Sequence, residues 1–144
     1  MEIRENIITD SIPHRDPFLF VDKVLEINEK SIKTSKLMDA KMDFFKGHYP
    51  HKPLVPGVIL CEAVFQSGAI LIANIEKFSQ NAVPVLAKIG EVKFRKMILP
   101  GDEIEITAEI VEKVSNVYFM KGTVSCGGKN SVRVEFAVSM VNEQ

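Results

Sequence analysis

FFKGHYPHKPLVPGVILCEAVFQ, residues 44–66, decides how this chain is read. Its first half is a loop. Pro50, Pro53 and Pro56 interrupt any regular period, and the stretch 40–56 carries neither a helical nor a strand pattern. Loops that long inside a compact domain are usually functional. From Pro56 to about Ile75 the pattern becomes helical, with proline tolerated in the first turn because its missing N–H would be unpaired there anyway. The helix is apolar nearly all round, which predicts burial on most sides. Yet Glu62 stands inside it among Val58, Ile59, Leu60, Cys61, Ala63, Val64 and Phe65. A buried carboxylate is costly unless it is paired or protonated.

Outward from this helix the chain reads as strands. FLFVDKVLEI (18–27) is rich in β-formers, and KSIKTSKLM (30–38) pairs with it through a polar turn at Asn28-Glu29. After the helix, NAVP (81–84) turns the chain, and VPVLAKIGEVKFRKMI (83–98) is β-rich with Gly90 as a bulge or bend. DEIEITAEIVEKV then sets Ile104, Ile106, Ala108 and Ile110 on one face. NVYFMKGTVSC and SVRVEFAVSMV follow, the second with Val132, Val134, Phe136, Val138 and Met140 on one face. Gly127-Gly128 suits a tight hairpin between them. Consecutive strands joined by short turns predict an antiparallel sheet, and a helix apolar all round needs that sheet wrapped about it. The expectation is an α+β, hotdog-like fold.

At 144 residues the chain suits one domain, 1–144, without an interdomain linker. A hydrophobic fraction of 46% and a net charge of −1 fit an ordinary globular protein and give no global signal for nucleic acid. Cys61 and Cys126 lie far apart and read as reduced thiols with structural roles. The opening MEIRENIITD is charged and lacks the apolar core of a signal peptide. The run Val58 to Ile75 is barely long enough to span a bilayer and carries Glu62 and Gln66. Cytoplasmic residence without membrane insertion is expected.

The chemistry centres on His48 and Glu62. Alone, a loop histidine is more often exposed or hydrogen-bonded for structural reasons, and Glu62 with Gln66 one turn on could form a narrow polar stripe. Against that, Glu62 is the only acid between Asp43 and Glu76. The helix start adds unpaired backbone N–H groups that welcome negative charge, and Gly57 leaves room for a substrate oxygen. An acid or base on a loop, a carboxylate on a helix and an amide site for an oxyanion together suit enolate chemistry. Other chemistries fit less well. Pro50 keeps His48 and His51 from sharing a helical face as a zinc pair, Ser67 is mid-helix, and no phosphate loop occurs. The Lys88, Lys93, Arg95 and Lys96 cluster reads as a solvated face or a docking patch.

Three motifs in order give a specific resemblance across nearly the whole chain. IPHRDPFLFVDKV (12–24), the 44–66 segment and VKFRKMILPGDEIEI (92–106) resemble those of the β-hydroxyacyl-acyl carrier protein dehydratases of type II fatty acid synthesis. The resemblance implies a hotdog fold with six antiparallel strands around a long central helix, and no metal or organic cofactor. It implies that His48 is the catalytic histidine and Glu62 the catalytic glutamate, where a dehydratase–isomerase branch has aspartate. Gly57 and Val58 match the helix start that binds the thioester carbonyl. It further implies an acyl carrier protein as partner and homodimers, often assembled into hexamers, with each site shared by two chains. Carrier proteins are acidic, so Lys93, Arg95 and Lys96 are the docking candidates.

On this reading His48 takes the proton α to the carbonyl, amides at Gly57 and Val58 stabilise the enolate, and Glu62, kept protonated by apolar surroundings, protonates the leaving hydroxyl. Tyr49, His51 and Asp16 depart from the residues usual at those positions and bear on the preferred acyl chain and pathway. A hotdog thioesterase, a dehydratase of a specialised acyl or polyketide pathway and a non-catalytic acyl-binding protein stand as alternatives.

Overall fold

Helix α2 (Gly57–Ile75) begins where the prolines end, with Pro56 as its extended N-cap. In the computed structural model, which describes residues 1–76 and 82–142, it is preceded by α1 (Ile7–Ser11), β1 (Lys23–Ile27) and β2 (Ser31–Leu37). It is followed by β3 (Ala82–Phe94), β4 (Glu103–Val114), β5 (Val117–Cys126) and β6 (Lys129–Asn142). The six strands form one sheet in the order β1-β2-β4-β5-β6-β3, with every neighbouring pair antiparallel.

The alternating patterns become the concave face of that sheet. Ile104, Ile106 and Ala108 of β4 and Val132, Val134, Phe136 and Val138 of β6 are buried, with Ile110 and Met140 partly so, as the period of two requires. They enclose α2, whose Leu60, Ala63, Val64, Ile70, Leu71 and Ile72 are almost wholly inaccessible. Although α2 has the length and hydropathy of a membrane span, its apolar surface is used against the sheet. The helix approaches β5 so closely that a Cβ on Gly122 would sit 2.3 Å from Val64 Cγ1, which explains the absent side chain.

The turns follow their chemistry. Asn28 accepts the N–H groups of Lys30 and Ser31 through its side chain at the β1–β2 corner. Gly127 and Gly128 take φ of +57° and +79° between β5 and β6, the pair of positive values that a type I′ hairpin needs. The register of β3 against β6 shifts between Ile89 and Val92, around Gly90.

Three boundaries differ from the sequence reading. Residues 18–22 are not strand, because the backbone of Phe18 and Phe20 bonds to the Gln66 side chain of α2 instead of to a neighbouring strand. β3 stops at Phe94; just beyond it the Arg95 N–H still reaches the Ser131 carbonyl at 2.7 Å, and Ser131 Oγ donates to the Lys96 carbonyl. The turn expected over 81–84 begins at Asn81, outside the described residues, and Ala82–Pro84 is already strand. The short α1 carries too little periodicity to be seen in the sequence.

Candidate active site

Glu62 lies in the second turn of α2, and its carboxyl is held by a network that begins one turn later. Gln66 is 1% exposed. Its Oε1 accepts the Phe20 N–H at 2.8 Å, which fixes the amide orientation. The Nε2 hydrogens then go to the Phe18 carbonyl at 2.9 Å and to Glu62 Oε2 at 2.8 Å. Oε2 is therefore an accepting oxygen. If Glu62 carries a proton, that proton belongs on Oε1, which has no hydrogen-bond partner among the described residues.

A second polar group faces the same oxygen. His14 Nε2 lies 3.7 Å from Glu62 Oε2. The segment that brings His14 there is fixed by Arg15, whose guanidinium donates to the carbonyls of Thr9, Ile12 and His14. The sequence reading has Glu62 kept protonated by apolar surroundings, with only Gln66 as a polar neighbour, and the surroundings are more polar than that. The chain from Pro13 to Phe20 crosses α2 at this point, bringing an imidazole and backbone polar groups, and the Glu62 side chain remains 22% exposed.

His48 sits after a 3₁₀ turn (Asp43–Lys46), on a loop that reverses at Tyr49–Lys52. Its Nδ1 is 3.0 Å from the Leu54 carbonyl oxygen. A carbonyl only accepts, so Nδ1 carries the hydrogen and Nε2 of the neutral ring is left with its lone pair. Tyr49 packs edge-on against the imidazole at 4.8 Å and holds a φ of +53°, an uncommon value for a residue other than glycine. Among the described residues no hydrogen bond or ion pair links His48 to Glu62.

The start of α2 supplies open donors. The N–H groups of Ile59 and Leu60 turn back to the Pro56 carbonyl at 3.0 and 3.3 Å, and no side chain caps the helix. Those of Gly57 and Val58 are left without partners among the described residues. The space beside Gly57 is not empty, however. A Cβ there would meet Phe94 Cε1 at 2.6 Å, so the close approach expected for a substrate oxygen is shared with an aromatic ring.

The basic residues are dispersed. Lys93 pairs with Glu91 at 3.3 Å on β3, while Arg95 and Lys96 lie beyond the strand's end, with Lys96 Nζ near the Cys126 carbonyl. All three are exposed. Cys61, next to Glu62 in sequence, is buried, and burial pushes its thiol pKa up from 9.0. A surface hollow of about 270 Å³, lined by Lys93, Glu109, Lys121 and Arg133 among others, lies on the outer face of the sheet and includes neither His48 nor Glu62.

His14, Gln66 and Phe94 are site residues to which the sequence reading gave no role. His14 lies in the quoted IPHRDPFLFVDKV motif, and Gln66 stands at i+4 from Glu62, so a signal existed for both. Nothing in the local sequence joins Phe94 to Gly57.

Comparison with known proteins places this geometry. Residues 12–135 match the family model of the FabA-like domain. The chain is 41% identical over 124 residues to a 3-hydroxyacyl-[acyl-carrier-protein] dehydratase FabZ of Clostridium perfringens, covering 86% of this chain and 88% of that one. It is 34% identical over 140 residues to the FabZ of Petrotoga mobilis, covering 97% and 98%. Among solved structures, the dehydratase heterocomplex ApeI:P from Xenorhabdus doucetiae superposes with a TM-score of 0.80 at 14% identity, covering 94% of this chain and 91% of that one. The E. coli PaaI protein from the phenylacetic acid degradation operon gives 0.66 at 13% identity, with 81% of each chain covered. At such identities these two speak for the hotdog fold alone. With most of its sequence matched, this chain belongs to the FabZ family of 3-hydroxyacyl-[acyl-carrier-protein] dehydratases, hydro-lyases of the FabA-like domain class.

Proposed function

We propose that the chain removes water from a 3-hydroxyacyl group carried on acyl carrier protein, giving the trans-2-enoyl thioester in fatty acid synthesis, with His48 as base and Glu62 as acid. One observation carries the assignment of roles. Each group has one atom tied down by the protein and the other left free: Nδ1 on the Leu54 carbonyl leaves Nε2, and Oε2 on Gln66 leaves Oε1. A free lone pair on one group and a free oxygen that can carry a proton on the other are what the two halves of a dehydration need.

His48 Nε2 takes the α proton, and the C–H electron pair moves into the thioester as an enolate. The free amides of Gly57 and Val58 receive the developing oxyanion. As the carbonyl re-forms, the Cα=Cβ bond forms and the Cβ–O bond breaks, and the proton of Glu62 Oε1 completes the departing water. The protein is left with a protonated His48 and an ionised Glu62, reset by proton exchange with solvent.

The working unit is a homodimer with shared sites. β3 ends the sheet with an unpaired edge and exposes Val85, Leu86, Ile89 and Phe94 along it. Val58, Met97 and Leu99 add exposed apolar surface in neighbouring segments. A long apolar edge of this kind favours pairing with another chain. A second copy seated there would stand beside Phe94 and the start of α2, which supports a site built from His48 of one chain and Glu62 of the other. Assembly of dimers into hexamers is a further step of the same kind. Free Cys61 and Cys126 suit a reducing, cytoplasmic setting.

The test is conversion of a 3-hydroxyacyl-carrier substrate followed by the ultraviolet absorbance of the enoyl thioester. Wild type produces it, whereas His48→Ala and Glu62→Gln each lose roughly 10²–10⁴ in rate while keeping the fold. Release of free thiol without enoyl product would mark a thioesterase, and binding without turnover a carrier-binding protein.

A further inference from the structure

Within the chain it is His14, not His48, whose ring faces Glu62, and the reaction sketched above leaves His14 without a task. Its Nε2 faces Glu62 Oε2 at 3.7 Å, longer than a hydrogen bond but near enough for a small shift of either side chain to make one. Its Nδ1 is buried and has no partner among the described residues. These two facts together choose the tautomer. An imidazolium, or a neutral ring with its hydrogen on Nδ1, would strand an N–H donor in a buried site. The neutral ring with hydrogen on Nε2 strands only a lone pair and aims its single N–H at the Glu62 carboxyl. The ring is held in place by Phe18, stacked at 6.3 Å and 22°, and by the Arg15 contacts to the carbonyls of residues 9, 12 and 14.

We propose that His14 is a positioning residue for the acid: with Gln66 it directs two N–H donors at Glu62 Oε2, so that Oε1 alone carries the proton and faces the leaving hydroxyl. Gln66 by itself holds that orientation with a single hydrogen bond. A second donor, arriving from a different segment of the chain, penalises the rotamer that would turn the protonated oxygen away. The inference rests on Glu62 being the general acid. It predicts an effect on turnover rather than on binding, because the uncharged imidazole acts through Glu62 and has no assigned contact with the acyl carrier.

The experiment compares His14→Phe, which keeps a stacking ring without the N–H, with His14→Gln, whose amide nitrogen reaches about as far as Nε2. Expected for His14→Phe is a kcat lower by roughly 10- to 100-fold with KM within about twofold of wild type. His14→Gln restores most of the lost kcat. In a Glu62→Gln background His14→Phe causes no further loss of the residual rate, because the group it positions is gone. Unchanged kcat in His14→Phe, equal losses in the Phe and Gln variants, or losses that multiply in the double variant would overturn the proposal. If His14→Phe fails to fold, His14→Met takes its place with the same expectations. Near-normal turnover in Glu62→Gln alone would instead remove the acid assignment, a result distinct from failure of the His14 arms.

Discussion

Gln66 and Glu62, one helical turn apart on α2, share a hydrogen bond of 2.8 Å, and the same Gln66 amide receives the Phe20 N–H from the other side. The acid is thereby tied to the N-terminal segment through one buried side chain.

Gln66→Met tests this link. The change fills the space but leaves the Phe20 N–H and the Phe18 carbonyl without partners. Each buried polar group left unsatisfied costs about 1–3 kcal/mol. A lower denaturation midpoint at unchanged m-value is expected in chemical unfolding, together with reduced turnover from a carboxyl no longer oriented. An unaltered midpoint would mean that water replaces the amide without penalty.

Cys61 offers a pH-dependent observable. Burial raises its pKa above 9.0, so below that value it stays a thiol in both the folded and the unfolded chain and contributes no pH dependence. As pH rises beyond 9.0 the unfolded chain releases the proton first, and folded stability falls until the folded pKa is passed. The thiolate is the reactive form, so Cys61 resists alkylation near neutrality while the half-exposed Cys126 reacts. Mass spectrometry after brief iodoacetamide treatment should find the label on Cys126, and both cysteines labelled at equal rates would contradict the burial.

Much of this molecule was legible because its sequence periods coincide with its layers. Strands β4, β5 and β6 alternate over much of their length, one side facing α2 and the other solvent, so pattern alone located them. The start of α2 was marked by Pro56 and its buried character by an unbroken apolar run. The first strand was overextended because Phe18 and Phe20 have strand-like side chains, but their backbone groups are claimed by Gln66, a tertiary contact across 46 residues or more. The same long-range crossing hid His14, whose meaning depends on which helix its loop passes over. Glu62 stands out against its neighbours in sequence, but the groups that reach it in the fold are more polar than neighbours along the helix suggest.

Carrier docking is testable on the exposed bases. Lys93 already has Glu91 as a partner, whereas Arg95 and Lys96 lie past the strand's end. Arg95→Glu and Lys96→Glu are expected to raise KM for carrier-linked substrate several-fold, with the loss shrinking as salt screens the interaction, and to spare short soluble thioesters. Lys93→Glu should have the smaller effect. Equal effects on both kinds of substrate would indicate structural damage in place of lost docking.

The shared site is tested by mixing two defective chains. His48 is anchored to Leu54 and Glu62 to Gln66, so within one chain each proposed catalytic group is fixed by its own neighbours, and no hydrogen bond or ion pair joins them among the described residues. In a two-fold dimer, residue His48 of one chain facing Glu62 of the other creates two equivalent sites. His48→Ala and Glu62→Gln proteins, each nearly inactive, are unfolded together and refolded. Random pairing makes about half of the dimers mixed, and each mixed dimer holds one intact and one doubly defective site. Activity should therefore return to about a quarter of wild type. A site confined to one chain cannot be restored by any mixture, so exchanged dimers that show no recovery would require both catalytic groups to act within the same chain.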